Sequence, residues 1–276
     1  MTKRLTSVAG KSVLITGAAM GMGRIYADKA VAEGASRVVL WDIDEGLLTQ
    51  AQQELSTGST SVVVQKVDVS SLPAVQAAAA EVLQDGPIDI LINNAGIVRG
   101  KNFWEHEQQR DIAATMNINA LAPMHITREF LPAMMASDSE CRIVTIASAA
   151  GLVSDPGMSI YAASKWAAIG FSESLRLELS QTGHNHVRVT TVCPTFISTG
   201  MFAGAKPPLL TRLMTPEYVT DRAWSGMLAG KPMLLLPWTV HLSKVLKGIL
   251  PLSAWDYLAG NVFGVYSTMK DFTGRK

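Results

Sequence analysis

Charge of either sign is scarce in this chain, and cysteine is scarcer. Charged side chains make up 17% of the 276 residues, and 24 basic against 23 acidic groups leave a formal charge of +1. So neutral a balance argues against a nucleic-acid binder that relies on a basic face. Hydrophobic residues still reach 48%, which excludes disorder. The two cysteines, Cys141 and Cys193, lie in separate apolar segments without a CxxC motif. They read as buried, reduced thiols in a reducing compartment, taken as the cytoplasm. His184 and His186 form an HxH in a polar turn, and His106, His125 and His241 have no partner at ligand spacing, so no metal is expected. No apolar run reaches the roughly 18 residues of a membrane-spanning helix. The polar start, residues 1–7, lacks the apolar core of a signal peptide.

The length is enough to bury about three quarters of the unfolded surface without disulfide or metal. Short β-branched runs alternate with longer helical patterns. Strands are expected at Ser12–Thr16, Arg37–Trp41, Ser61–Val67, Ile88–Ile92, Arg142–Ala147, Val187–Val192 and Met233–Leu236. Helices are expected at Arg24–Glu33, Glu45–Ser56, Val75–Leu83 behind a cap at Ser70 or Ser71, after Trp104, at Ser159–Ser180 and at Pro216–Ala229. Such alternation implies crossover connections, hence an α/β fold with a doubly wound parallel sheet. Without linker or repeat, residues 1–276 read as a single dinucleotide-binding catalytic domain. Within it, residues 200–276 form a substrate loop and an apolar C-terminal extension. The proline-bearing stretch 203–216 suggests a mobile loop or lid. Two apolar, weakly basic helices follow between Thr239 and Tyr266, divided near Pro251.

Chemistry concentrates in four places. Between the first strand and first helix, Thr16 to Gly23 carries Gly17, Gly21 and Gly23 around Met20 and Met22. Glycines there let the backbone approach a pyrophosphate, and the helix N-terminus offers N–H groups and a positive dipole end. A merely structural turn is the alternative. Asp42 ends the second strand, nineteen residues past Gly23. Its carboxylate can accept both hydroxyls of an adenine ribose and would repel a 2′-phosphate, which favours NAD over NADP; a solvated strand-end aspartate is the plain reading. Asn93, Asn94, Ala95 and Gly96 close the fourth strand, where asparagine amides can hold strand ends apart to form a crevice, or simply make a turn. Tyr161 and Lys165 stand four residues apart on one helix face, with Ser148 thirteen residues upstream. A phenol of ordinary pKa about 10 is a poor base at neutral pH, and a neighbouring ammonium is the physical remedy. Ser148 can donate to a substrate oxygen.

These residues in this order resemble the short-chain dehydrogenase/reductase family, from about Gly10 to Gly200. The likeness also rests on Asp68-Val69, Asn119 and Pro194 to Thr199. It implies that Tyr161 is the general acid/base, that Lys165 lowers its pKa and binds the nicotinamide ribose, and that Ser148 positions the carbonyl or hydroxyl. It further implies that Asn119 helps hold a relay water, Asp68 contacts adenine and Thr199 meets the carboxamide. Val69, Asn94, Ala95, Gly96, Pro194 and Ile197 would complete the cofactor cleft. The implied reaction is reversible hydride transfer with NAD. One departure is Thr195, where the family often has glycine after the proline. Segments such as Leu40 to Ile43, Phe130 to Met134, Ile146 to Gly151 and Cys193 to Phe196 resemble the 17β-hydroxysteroid and retinol dehydrogenase branch. Members of that branch carry a hydrophobic N-terminal anchor, which the polar start of this sequence does not lead one to expect here.

Leu209, Leu210, Leu213 and Met214, with Leu234 to Trp238 and the last helices, suggest an apolar wall over the crevice, hence a lipophilic alcohol or ketone substrate, steroid- or retinoid-like. The same apolar tail also suits contact between copies in a homodimer or homotetramer. Peripheral membrane contact is a third use, since Lys244 and Lys247 accompany Leu242, Val245, Leu246, Ile249 and Leu250. A non-catalytic NAD-binding sensor is the rival from another class. The complete Ser148, Tyr161, Lys165 set counts against it.

Overall fold

The computed structural model describes residues 5–56 and 58–274, so residues 1–4 of the polar start lie outside it. Seven strands, β1 (Ser12–Thr16), β2 (Arg37–Asp42), β3 (Ser61–Lys66), β4 (Ile90–Asn93), β5 (Cys141–Ile146), β6 (Val187–Pro194) and β7 (Met233–Leu236), pair in parallel in the order β3-β2-β1-β4-β5-β6-β7. The order reverses between β1 and β4, which are registered as Ile15 against Ile92. Open α/β sheets place their crevice at the carboxyl ends of strands beside such a switch point.

Alternation along the strands decides which helix covers which face. Val13, Ile15, Val38, Leu40, Ile90 and Ile92 face α1 (Gly21–Ala32), α2 (Glu45–Leu55) and, further along the chain, residues 216–228. Leu14, Val39, Trp41, Leu91 and Ile143 face the other layer, formed by α3 (Leu72–Gln84) and the helices that follow it up to residue 181. Here the Phe130 ring lies 5.8 Å from that of Trp41, both without exposure. Side chains of this size contribute about 1.5–3 kcal/mol each on burial.

Several helices begin where a side-chain acceptor or a tight turn starts them. Asp44 accepts from Leu47 N at the head of α2, and Ser71 from Ala74 N at the head of α3, as expected of a cap there. Helix α1 begins at Gly21, three residues before the expected start, because the glycine turn itself is its first turn. The long helix expected after Trp104 is not uniform. A π turn at Gln108–Ala113, the short α4 (Ala114–Met116), a second π turn at Asn117–Leu121 and α5 (Ala122–Met135) follow one another. Wide turns of this kind are frequent at functional sites, and Asn119 sits in the second. Then come α6 (Ser159–Gln181), α7 (Pro216–Leu228), α8 (Trp238–Ile249) and α9 (Leu252–Tyr257). Pro251 caps α9, and the chain runs on through a π turn at Leu258–Val262.

Buried arginines tie down the opposite edge of the sheet. Arg37, at the start of β2, donates to Ser12 Oγ and to the carbonyls of Val82, Gly86 and Pro87. Arg142 of β5 donates to Met227 O and Glu140. Rigidity at that edge leaves the carboxyl ends free to carry loops.

Candidate active site

Asn94 is the hinge pin of the crevice. Its amide nitrogen donates to Thr16 O and Gly17 O, each at 3.0 Å, while Thr16 Oγ1 accepts from the backbone N–H groups of Asn94 and Ala95. Asn93 does not share the task, for its buried amide turns to Thr127 Oγ1 in the opposite layer. Gly17 holds φ +63°, and a Cβ there would meet Ala95 Cα at 2.9 Å. A Cβ on Gly23 would stand 1.9 Å from Gly17 O. Both glycines are therefore required by close backbone packing.

A cleft of about 310 Å³ opens from this turn across to β5 and β6. It is bordered by Gly17, Met20, Gly21, Met22, Asp42, Asp68, Val69, Asn94, Ala95, Gly96, Ser148, Tyr161, Lys165, Pro194, Ile197 and Thr199. Of the residues singled out from sequence, Gly23 and Asn119 lie just behind it.

One end of the cleft suits a dinucleotide. No side chain caps α1 and no acidic residue occupies its first turn, so its N-terminal N–H groups and dipole face the cleft. Asp42 Oδ2 accepts from Ala19 N at 3.0 Å, and Oδ1 from the N–H groups of Ile43 and Asp44. The carboxylate is thereby fixed at the mouth, with acceptor capacity left for a hydroxyl. Asp68 Oδ1 is held by the backbone and hydroxyl of Ser70.

At the other end stand Ser148, Tyr161 and Lys165, all buried. Ser148 Oγ accepts from Ala150 N at 3.1 Å and donates to Pro194 O at 3.4 Å. Lys165 Nζ donates to Ile146 O at 2.9 Å and lies 5.7 Å from the centre of the Tyr161 ring. Burial pushes the Tyr161 phenol up to about 12, against the opposing effect of the Ser148 hydroxyl beside it. Burial also brings the Lys165 ammonium down to about 8. Burial thus holds the phenol above its ordinary value rather than below it. Desolvation outweighs a cation whose hydrogen bond goes to a carbonyl. Asn119 uses both ends of its amide on the backbone of Ile97 and on Ser164 Oγ, so it braces the cleft wall.

The residues expected to wall the crevice divide: the last helices border it, and three of the loop leucines do not. Leu209, Leu210 and Leu213 are more than half exposed, as is Trp238, and of the four apolar loop residues expected at the wall Met214 alone is buried. A second cavity of about 90 Å³ shares Ser148, Thr195 and Phe202 with the first, and its far wall is Pro208, Thr211, Thr239, Val240, Ser243 and Val265. Phe202 stands edge-on to Tyr161 at 6.1 Å and to Phe196 at 5.4 Å. The loop expected to be a lid is fastened by the end of the chain. Thr273 N donates to Ala203 O, Lys206 N to Thr268 O and Leu209 N to Phe263 O. Apolar liners such as Ile97, Ile118, Met201 and Phe202 carry no chemical signature, and these long-range contacts leave no local pattern.

The sequence profile of the short chain dehydrogenase family matches residues 11–208, and the chain belongs to that family. It is an oxidoreductase that works with a nicotinamide dinucleotide. Epidermal retinol dehydrogenase 2 of Mus musculus is 36% identical over 280 residues, spanning 100% of this chain and 89% of the relative. Estradiol 17-beta-dehydrogenase 11 of Pongo abelii is 37% identical over 250 residues, covering 90% and 82%. A short chain dehydrogenase/reductase from Burkholderia phymatum in complex with NAD superposes with a TM-score of 0.79 at 29% identity, covering 88% of this chain and 95% of that one. A metagenomic short-chain oxidoreductase in complex with NADP gives 0.71 at 28% identity, covering 84% and 98%.

Proposed function

We propose that the protein interconverts a secondary alcohol and a ketone, or an alcohol and an aldehyde, on a lipophilic, steroid- or retinoid-like molecule, with NAD preferred. The observation that carries the reading is the meeting of Ser148, Tyr161 and Lys165 at one end of a cleft whose other end is the glycine turn and Asp42. Bound there, NAD accepts or supplies the hydride. Tyr161 Oη takes up or gives the hydroxyl proton, Ser148 Oγ holds the reacting oxygen, and the Lys165 ammonium favours the phenolate. Asn119 stays in the reading as the residue beside which a relay water is held. The whole chain acts as a single catalytic unit, with residues 200–276 supplying the substrate loop and extension. Relatives named for retinol and estradiol support the lipophilic class.

Assays of lipophilic secondary alcohols and ketones, run separately with NAD and NADP, test this function. Turnover confined to small polar polyols would overturn it. In the same assay Asp42→Ser is expected to lower kcat/KM with NAD by about 10- to 100-fold, the equivalent of a hydrogen bond to a charged group, and to erase the preference over NADP. An unchanged preference would remove Asp42 from the ribose site.

The exposed apolar surface of α8 and α9, with Trp238, Val245, Ile249, Leu252 and Tyr257, we read as contact between copies in a homodimer or homotetramer. Lys247 supports this over a lipid surface, because its ammonium turns back to Leu152 O and stacks 4.7 Å over Trp166. Light scattering is expected to show a multiple of 29.6 kDa; a monomer that floats with anionic vesicles would favour the membrane instead. Among the described residues no helix is long and apolar enough to cross a membrane. Cys141 and Cys193 are free, buried thiols, which supports a reducing compartment, read as the cytoplasm.

A further inference from the structure

Among the described residues, two that border the smaller cavity each carry a buried side-chain oxygen without a hydrogen-bond partner: Asp155 Oδ1 and Thr195 Oγ1. Buried polar atoms in native proteins are nearly always paired, so each orphan asks for an explanation. Asp155 lies in the loop between Ser148 and α6, and its other oxygen accepts a 2.5 Å bond from Thr268 Oγ1. That bond fixes one half of the carboxylate and leaves the other half unpaired, in a residue that borders the cavity with Val153, Met158 and Phe202 and with the hydroxyls of Thr211, Thr239 and Ser243. Burial pushes the carboxyl up to about 6, so it is an anion, and a strong acceptor, at neutral pH. A desolvated acceptor is costly while unpaired and rewards a ligand that brings a donor. The outer torsion of an aspartate is soft, so Oδ1 turns toward such a donor at little cost.

Resting on the oxidoreductase reading, we infer that Asp155 is a specificity-determining residue that accepts a hydrogen bond from a second hydroxyl on the substrate, remote from the carbon oxidised at Tyr161. Thr195, which borders both cavities, flanks the path between the two ends of such a molecule. The substrate class narrows to lipophilic diols and hydroxyketones.

A matched set tests this: a decalin diol, its mono-methyl ether and decalinol, each assayed with NAD. Wild-type kcat/KM is expected to favour the diol over the ether by about 10- to 100-fold, the cost of an unmatched buried acceptor. In Asp155→Asn the amide oxygen keeps Thr268 and the NH2 turns to the cavity, so the preference is expected to reverse toward the ether, an acceptor only. The wild-type ratio decides even if the variant fails to fold: equal kcat/KM for diol and ether overturns the assignment. Ligand-induced melting shifts on the same set separate the two readings. No turnover, with shifts ordered diol over ether, sinks the oxidoreductase reading and leaves Asp155 standing. No ordering in rates or shifts sinks Asp155 alone.

Discussion

Replacing Tyr161 with phenylalanine lowers turnover by about 10²- to 10⁴-fold, the usual contribution of a positioned acid/base, and leaves cofactor binding in place. Phenylalanine keeps the ring, its edge contact with Phe202 and the buried packing around it, so what is deleted is one hydroxyl beside Ser148. The pH profile distinguishes that loss from a structural one. Burial holds the phenol near 12, so at neutral pH it is protonated and already the acid that ketone reduction needs. Alcohol oxidation needs the phenolate, whose fraction grows tenfold per pH unit below the pKa. Wild-type kcat/KM for oxidation is therefore expected to climb with pH while that for reduction stays level. The climb flattens above about 8, where Lys165 loses its proton and no longer favours the anion. Stopped-flow and steady-state assays across pH 6 to 10 read both effects. A variant that still turns over at the wild-type rate, with the same slope, would remove Tyr161 from the proton path.

What was legible in the sequence was whatever is encoded locally. Strand periods, the cap at Ser71 and the glycine turn each depend on neighbours within a few residues, and the fold and both ends of the cleft followed from them. Boundaries moved where pairing is decided across the sheet: β4 runs Ile90–Asn93, because Asn93 pairs with Thr145 of β5, and β6 continues to Pro194 beside Leu236. The π turns around Asn119 were invisible, since no residue type marks them. The leucines at 209, 210 and 213 misled for another reason. A loop without period gives no direction to its side chains, and Leu210 takes φ 65°, a left-handed conformation that no sequence pattern announces for leucine. Asp155 stands in a Ser-Asp-Pro-Gly run that by itself signals no more than a turn. Its role depends on Thr268, which lies 113 positions away, and on a cavity closed by the end of the chain.

Gly23 carries the second large effect, and Gly21 is its control. In Gly23→Ala the new methyl must be placed 1.9 Å from Gly17 O and 2.8 Å from Asn94 Nδ2, and neither neighbour can yield alone. Gly17 is already pressed against Ala95, while Asn94 ties that carbonyl to the end of β4. Relief requires α1 to lift from the turn, which costs about 1–3 kcal/mol or more as overpacking and moves the helix N-terminus away from the cleft. Gly21 also has positive φ, at +58°, but a Cβ there meets nothing within 4 Å. Gly21→Ala therefore carries only the left-handed backbone term of about 1–2 kcal/mol. Thermal melts with and without NAD separate the two. The Gly21 variant is expected to melt slightly early and still be stabilised by NAD, whereas the Gly23 variant melts earlier and gains nothing from the dinucleotide. A Gly23→Ala protein stabilised by NAD as fully as the wild type would mean that the turn tolerates a lifted helix, and that the dinucleotide is held chiefly by Asp42 and the far end of the cleft.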